Sequence, residues 1–306
     1  MEANLQAENL VGIEVTGSIF RAVRLDAGGN IADTHRSPMV KGEDSAPQLV
    51  NFVKELNEKF GYFDRLGITV PGLIDRDSKR VKFSTYFPEH ERIDLLGELE
   101  KVTKQKIFIE NDANAAAYAE YNLGAGRGNR DMFYITLGLG IGGALIFDGN
   151  IWRGASGFAG EFGHIAINSD GMKLEDVASA ANIIRRTKNR FHQDHTSSLR
   201  YLREEEIQIS DVVREAQRGD DFARMMLERT GTFVGTAVST VINLLNIEKV
   251  VVGGDIVQAD HLVLDAIIRR AKEFSFTPSF NTTEILQGEL GDNATAIGAA
   301  LLSGRL

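Results

Sequence analysis

Four polar side chains crowd the run Glu110-Asn111-Asp112-Ala113-Asn114, which follows an apolar stretch from Lys106 to Ile109 and precedes an alanine-rich one. Polar groups at the carboxyl end of a strand, just before a helix, are where open α/β sheets hold ligands. One Asp or Asn there would cap the helix. Four polar groups exceed what capping needs, so the turn is read as a functional site. A second cluster closes the small-residue loop from Gly154 to His164, which ends in Glu161 and His164; Glu175 follows eleven residues later. Carboxylates that accept, beside an imidazole that can donate or accept, suit the hydroxyls of a sugar.

Gly138, Gly140, Gly142 and Gly143 form a third group. Their letters fit G-x-G-x-x-G, but the dinucleotide fingerprint needs a helix next, and Ala144 to Phe147 followed by Asp148-Gly149-Asn150 reads as a strand entering a hairpin. A glycine turn can instead bring backbone N–H groups close to a phosphate chain. No G-x-x-x-x-G-K-[ST] or H-E-x-x-H sequence occurs. His192 and His195 could ligate a metal on spacing alone, but they follow an arginine-rich helix end and are expected on a solvated loop.

The elements that must position these groups alternate. Leu10 to Glu14, Phe20 to Leu25 and the segment from Ile31 read as two successive hairpins, the second closed by a Gly/Asn turn. The same order recurs at Met132 to Leu137, Ala144 to Phe147 and the segment from Ile151, after Asp148-Gly149-Asn150, which points to a duplicated lobe. Helical periodicity over 46–60, 95–103 and 114–121 alternates with strands over 65–70 and 106–109, an α/β pattern. The second half is mostly helical: 174–191, 210–217, 220–245, 261–274 and 294–302, with a buried strand over 249–252. The expected lobes are 1–116 with 291–306, and 117–290.

At 306 residues, two lobes are the natural prior. A net charge of -9 and the absence of any Lys/Arg-rich run argue against a nucleic-acid partner. Without cysteine there is no disulfide, thiolate nucleophile or cysteine zinc site. A polar start and the lack of a long apolar run exclude a signal peptide and a membrane span, leaving the cytoplasm as the expected compartment. A homo-oligomer, a dimer, is expected.

Taken together, these motifs resemble the ROK family of sugar kinases and repressors, over nearly the whole chain. The resemblance rests on Val70-Pro71-Gly72-Leu73-Ile74-Asp75, the turn from Glu110 to Ala116, the glycine turn, Ala159-Gly160-Glu161-Phe162-Gly163-His164, Leu174-Glu175, Val252-Gly253-Gly254 and Ile297-Gly298-Ala299-Ala300. It implies two ribonuclease-H-like lobes around a central cleft, the actin/hexokinase-like ATPase fold, and ATP-dependent phosphorylation of a hexose or N-acylhexosamine hydroxyl. It implies Asp112 as catalytic base, with Gly72, Asn111, Glu161, His164 and Glu175 beside the sugar. ATP and Mg²⁺ would be served by Glu14, Gly17, Ser18, Gly138, Gly140, Gly142, Gly253 and Gly254.

The sequence also departs from the family pattern. Where the family usually reads D-x-G-G-T-K, this chain has Glu14-Val15-Thr16-Gly17-Ser18-Ile19, losing the basic residue; the G-T-G-I-G turn carries Leu139 in place of a hydroxyl. The cysteine-rich zinc loop is missing, so zinc is not expected. The sugar-contacting asparagine is replaced near Thr85-Tyr86-Phe87. An alternative therefore stands beside the kinase: a non-catalytic sugar-binding or regulatory protein with degenerate phosphate turns. Only nine residues precede the first strand, which disfavours a DNA-binding repressor.

Overall fold

The computed structural model describes residues 9–40, 42–75, 80–84, 87–191, 196–257 and 261–305. His192, His195, Thr85 and Tyr86 lie outside the described residues.

The chain opens with β1 (Leu10–Val15), β2 (Ile19–Leu25) and β3 (Ile31–Pro38). These pair antiparallel, β1 on β2 and β2 on β3. Asp26 organises the second turn, its Oδ1 accepting the N–H groups of Gly28 and Asn30, as an Asx turn does. Then come α1 (Ser45–Phe60), β4 (Arg65–Val70), the short pair β5 (Leu73–Ile74) and β6 (Val81–Phe83), α2 (Leu95–Glu100), β7 (Lys106–Asn111) and α3 (Asp112–Leu123). The first sheet has the order β3-β2-β1-β4-β7, with β4 parallel to both β1 and β7. Leu66 to Val70 are all buried, as a central strand covered on both faces requires.

The pattern then repeats. β8 (Met132–Leu137), β9 (Ile141–Phe147) and β10 (Asn150–Trp152) are followed, after the helical stretch, by β11 (Lys249–Gly253) and β12 (Glu284–Gln287). The second sheet has the order β10-β9-β8-β11-β12. In both sheets the central strand pairs antiparallel with its successor and parallel with a later strand. This is the duplication that the echoed hairpins predict. The helices are α4 (Glu175–Ala178), α5 (Ala180–Phe191), α6 (Ile209–Gln217), α7 (Asp221–Leu245), α8 (Leu262–Phe274), α9 (Thr277–Phe280) and α10 (Ala294–Ser303).

Contacts divide the described residues into two units. One draws on Met1–Arg127, Asn150–Ala159 and Asp292–Leu306, the other on Gly128–Gly149 and Gly160–Gly291. Each has its own apolar core, the first around Phe20, Phe52, Leu66 and Ile68, the second around Ile135, Phe162, Val238 and Val250. Within the first unit α10 is buried almost all round. A methyl group on Gly298 would lie 1.8 Å from the carbonyl oxygen of Ala115, so α10 and α3 meet backbone to backbone.

Three details differ from the sequence reading. The glycine turn is shorter, because β9 begins at Ile141 and takes Gly142 and Gly143 into the strand. The helix expected over 174–191 breaks at Ser179, whose ψ is 156°. There Ser179 Oγ and Asn182 Nδ2 both donate to the carbonyl of Glu175, and such local side-chain bonds replace the helical ladder. β12 has no counterpart in the sequence reading; its four residues, only one of them buried, give too short an alternation to read. Among the described residues no helix is long and apolar enough to cross a membrane.

Candidate active site

In the first unit, Asp112 is the opening residue of α3 and Asn111 its N-cap. Asn111 Oδ1 accepts the Asn114 N–H at 3.1 Å, and Asn111 Nδ2 donates to the Gly72 carbonyl at 3.0 Å. The capping role is therefore real, and the same side chain ties the Pro71-Gly72 turn to the start of α3. Asp112 Oδ1 accepts the Ala113 N–H at 2.9 Å. Behind it, the buried Glu110 accepts from Asn111 N, Asn114 Nδ2 and Arg153, fixing the strand end from which Asn111 and Asp112 project.

Glu14 lies at the carboxyl end of β1, directly across from Arg21 of β2. Arg21 Nη1 donates to Glu14 Oε2 at 2.6 Å and also to the Asp292 carbonyl. Burial pushes the Glu14 carboxyl up to about 7; Arg21 opposes the rise, and Asp112 and Asp292 add to it. Arg21 stands two residues beyond Ile19 on the same face of β2 and is the cation set against Glu14. The adjacent turn is built on Thr16, whose Oγ1 accepts the N–H groups of Ser18 and Ile19. A Cβ on Gly17 would meet nothing within 4 Å, so no packing of the protein itself demands glycine there.

In the second unit the three sugar-type residues come together. Glu161 precedes a short 3-10 turn (Phe162–His164) that His164 closes, and Glu175 opens α4. Partial burial raises the Glu161 carboxyl; His164 opposes the rise and Glu175 reinforces it, so all three share one field. Glu175 Oε2 accepts the Ile141 N–H at 2.8 Å and so anchors the glycine turn. That turn is pinned again by the Ala180 N–H donating to the Gly138 carbonyl at 2.8 Å. Gly254, at φ +93°, packs under it: a Cβ there would sit 2.3 Å from the Leu137 carbonyl. Like Gly17, Gly138 has open space where a Cβ would stand. Gly143 is different, since its Cβ would strike the Gly160 carbonyl at 2.8 Å. An open glycine turn lets a ligand come close to backbone N–H groups.

The segment joining His164 to Glu175 closes as a hairpin. Ala166 bridges Lys173, Ile167 N donates to Met172 O, Leu174 N donates to Ile165 O, and Asn168 Oδ1 caps the bend through Asp170 N and Met172 N. Lys173 Nζ lies 3.2 Å from His164 Nδ1. Among the described residues no group of three His, Cys, Asp or Glu side chains is placed to hold a metal ion. Arg21, Arg153 and Lys173 had escaped the sequence reading: Arg21 acts across a strand pair, Lys173 across a hairpin, and Arg153 on a carboxylate 43 residues away in sequence.

Two five-stranded sheets of one topology define the actin/hexokinase-like fold class. The ROK family pattern matches residues 10–305, and the chain belongs to the ROK family. It is 31% identical to a glucokinase of Thermotoga maritima over 95% of this chain and 96% of that protein. It is 28% identical to the xylose repressor of Bacillus subtilis over 96% of this chain and 77% of the repressor. Among solved structures, a ROK family glucokinase from Streptomyces griseus in complex with glucose and AMPPNP superposes with a TM-score of 0.84 at 26% identity, covering 97% of this chain and 100% of that one.

Proposed function

We propose that the protein transfers the γ-phosphoryl group of ATP to a hydroxyl of a hexose or N-acylhexosamine, with Asp112 as the base. The observation that carries this reading is the Asp112 carboxylate at the first turn of α3, beside the N-cap Asn111 tethered to Gly72 and in the field of Glu14. Phosphoryl transfer asks the protein mainly for positioning and charge stabilisation. In this reading Asp112 accepts the proton of the attacking hydroxyl. Glu161 and Glu175 accept hydrogen bonds from other hydroxyls. Lys173 Nζ stands against His164 Nδ1, which leaves the Nε2 edge as the one to meet a sugar oxygen. The backbone of the turns at Gly17, Ser18, Gly138, Gly140 and Gly142, with Gly253-Gly254, takes the nucleotide. Glu14 is the carboxylate suited to a water of bound Mg²⁺, which when present neutralises charge on the transferring phosphate.

A coupled ADP-release screen over hexoses and N-acylhexosamines tests the reading. Sugar-dependent turnover is expected in the wild type and a loss of about 10²–10⁴ in kcat in Asp112→Asn. No sugar-dependent turnover with any of them would defeat it.

The second reading, a sugar-binding protein without catalysis, is favoured by one arrangement: Arg21 already engages the Glu14 carboxylate, and Leu139, in the glycine turn, is exposed. Calorimetry separates the two. Sugar binding with no measurable ATP–Mg²⁺ binding selects the second.

A further inference from the structure

Helix α5 carries Arg185, Arg186, Lys188 and Arg190 and no acidic residue, in a chain of net charge -9. Arg186 is half-buried against α7. Its Nη2 donates to Thr230 Oγ1 at 3.0 Å, while Nε and Nη1 are buried with no hydrogen-bond partner. The Phe233 ring is shared by two guanidiniums, Arg186 at 5.8 Å and Arg229 at 5.7 Å from its centroid. Among the described residues no carboxylate pairs with Arg186, Arg190 or Arg229. Burial first, then the neighbouring cations Arg229, Arg190 and Arg185, hold its guanidinium down at about 10. Buried donors without acceptors, among like charges without a counter-ion, are costly. The sequence reading noted only an arginine-rich helix end, and the proposed kinase chemistry makes no use of it.

We infer that Arg186 and Arg229, which share the Phe233 ring, together with Arg190 of the same helix as Arg186, form a binding site for a phosphate-bearing anion. A phosphate dianion supplies what the cluster lacks: several acceptor oxygens for the free N–H groups, and two charges set against several guanidiniums. A lone carboxylate answers only part of that charge. The exposed Arg190 and Arg229 side chains can turn to admit the ion, while Arg186 is held by Thr230 and by the ring. The same chemistry is presented by free phosphate and by a sugar phosphate. The site stands independently of the proposed phosphoryl transfer, since its test reads binding rather than turnover.

The full chain is titrated with inorganic phosphate, and separately with glucose 6-phosphate, at constant ionic strength held with chloride. Binding is followed by calorimetry and by thermal unfolding. Saturable binding is expected, with a higher Tm in phosphate than in chloride. Arg186→Met is expected to weaken it at least tenfold and, in chloride alone, to melt no lower than wild type, because it removes unmet donors and like-charge repulsion. The exposed-site variants Arg190→Gln and Arg229→Gln guard against a folding defect in Arg186→Met, and each should weaken binding several-fold. The ligand bound more tightly identifies the source. The inference is overturned if neither anion binds, if all three variants keep wild-type affinity, which would place the ion at the glycine turns, or if the variants alter only the oligomeric state, which would make the cluster a contact between copies.

Discussion

Asp112 and Glu14 are two carboxylates in one unit whose surroundings push them apart in role. Asp112 opens α3 and accepts the Ala113 N–H. Glu14 is buried and rises from 4.5 to about 7 in spite of Arg21. A raised carboxyl binds its proton more tightly folded than unfolded, so its contribution is fully present below the unfolded value and is lost as pH climbs through about 7. Wild type is thus expected to lose up to about 3 kcal/mol relative to Glu14→Gln between pH 4.5 and 8. Urea unfolding of both proteins across that range checks it; parallel stability curves would show that Arg21 keeps Glu14 ionised throughout. The proposed base and its neighbours could be read from sequence because Glu110, Asn111, Asp112 and Asn114 are adjacent. Arg21 could not, because its role depends on the β1–β2 register that sets it opposite Glu14.

The hairpin between His164 and Glu175 shows what one short element can do. With no cysteine available, its shape comes from the Ala166–Lys173 bridge and the Asn168 bend, and a lysine ammonium stands at the histidine's Nδ1. Lys173→Met should then free the ring to take either tautomer while leaving the backbone bridge intact. If His164 binds sugar, the variant's KM for sugar should rise about tenfold, one lost charge-assisted hydrogen bond, with Tm and the KM for ATP unchanged. An unaltered sugar KM would leave Lys173 with no part in orienting the ring. Strands and long helices were legible from their periodicity, down to the bounds of β4. The break at Ser179 was not, because it arises from side-chain bonds among Glu175, Ser179 and Asn182 and from the draw of the Gly138 carbonyl on Ala180 N–H.

Across the whole chain, the repeat of hairpin, strand and helix announced two sheets of one topology, but the path between the two units leaves no signature in composition. The chain passes between them at Arg127–Gly128, Gly149–Asn150, Ala159–Gly160 and Gly291–Asp292, without a linker of distinctive residues. The last passage matters most for stability. α10 returns to the first unit and packs on β1, β2, β4, β7 and α3, with all of its residues but Thr295 buried. A helix apolar on every side has no stable existence outside such a core. Ending the chain at Gly291 removes α10 and strips one face of the first sheet, where a Cβ on Gly12 would already clash with Ala296 at 1.9 Å. The second unit loses no strand of the β9-β8-β11-β12 run and no part of its apolar core. Hydrogen exchange should therefore show amide protection collapsing in β1, β4 and α3 and persisting in β8 and β11. A milder version, Gly298→Val, forces a branched side chain into the Ala115 backbone and should cost at least about 1–3 kcal/mol, lowering protection in the same strands first. Uniform loss across both sheets would mean instead that the two cores unfold as one cooperative body.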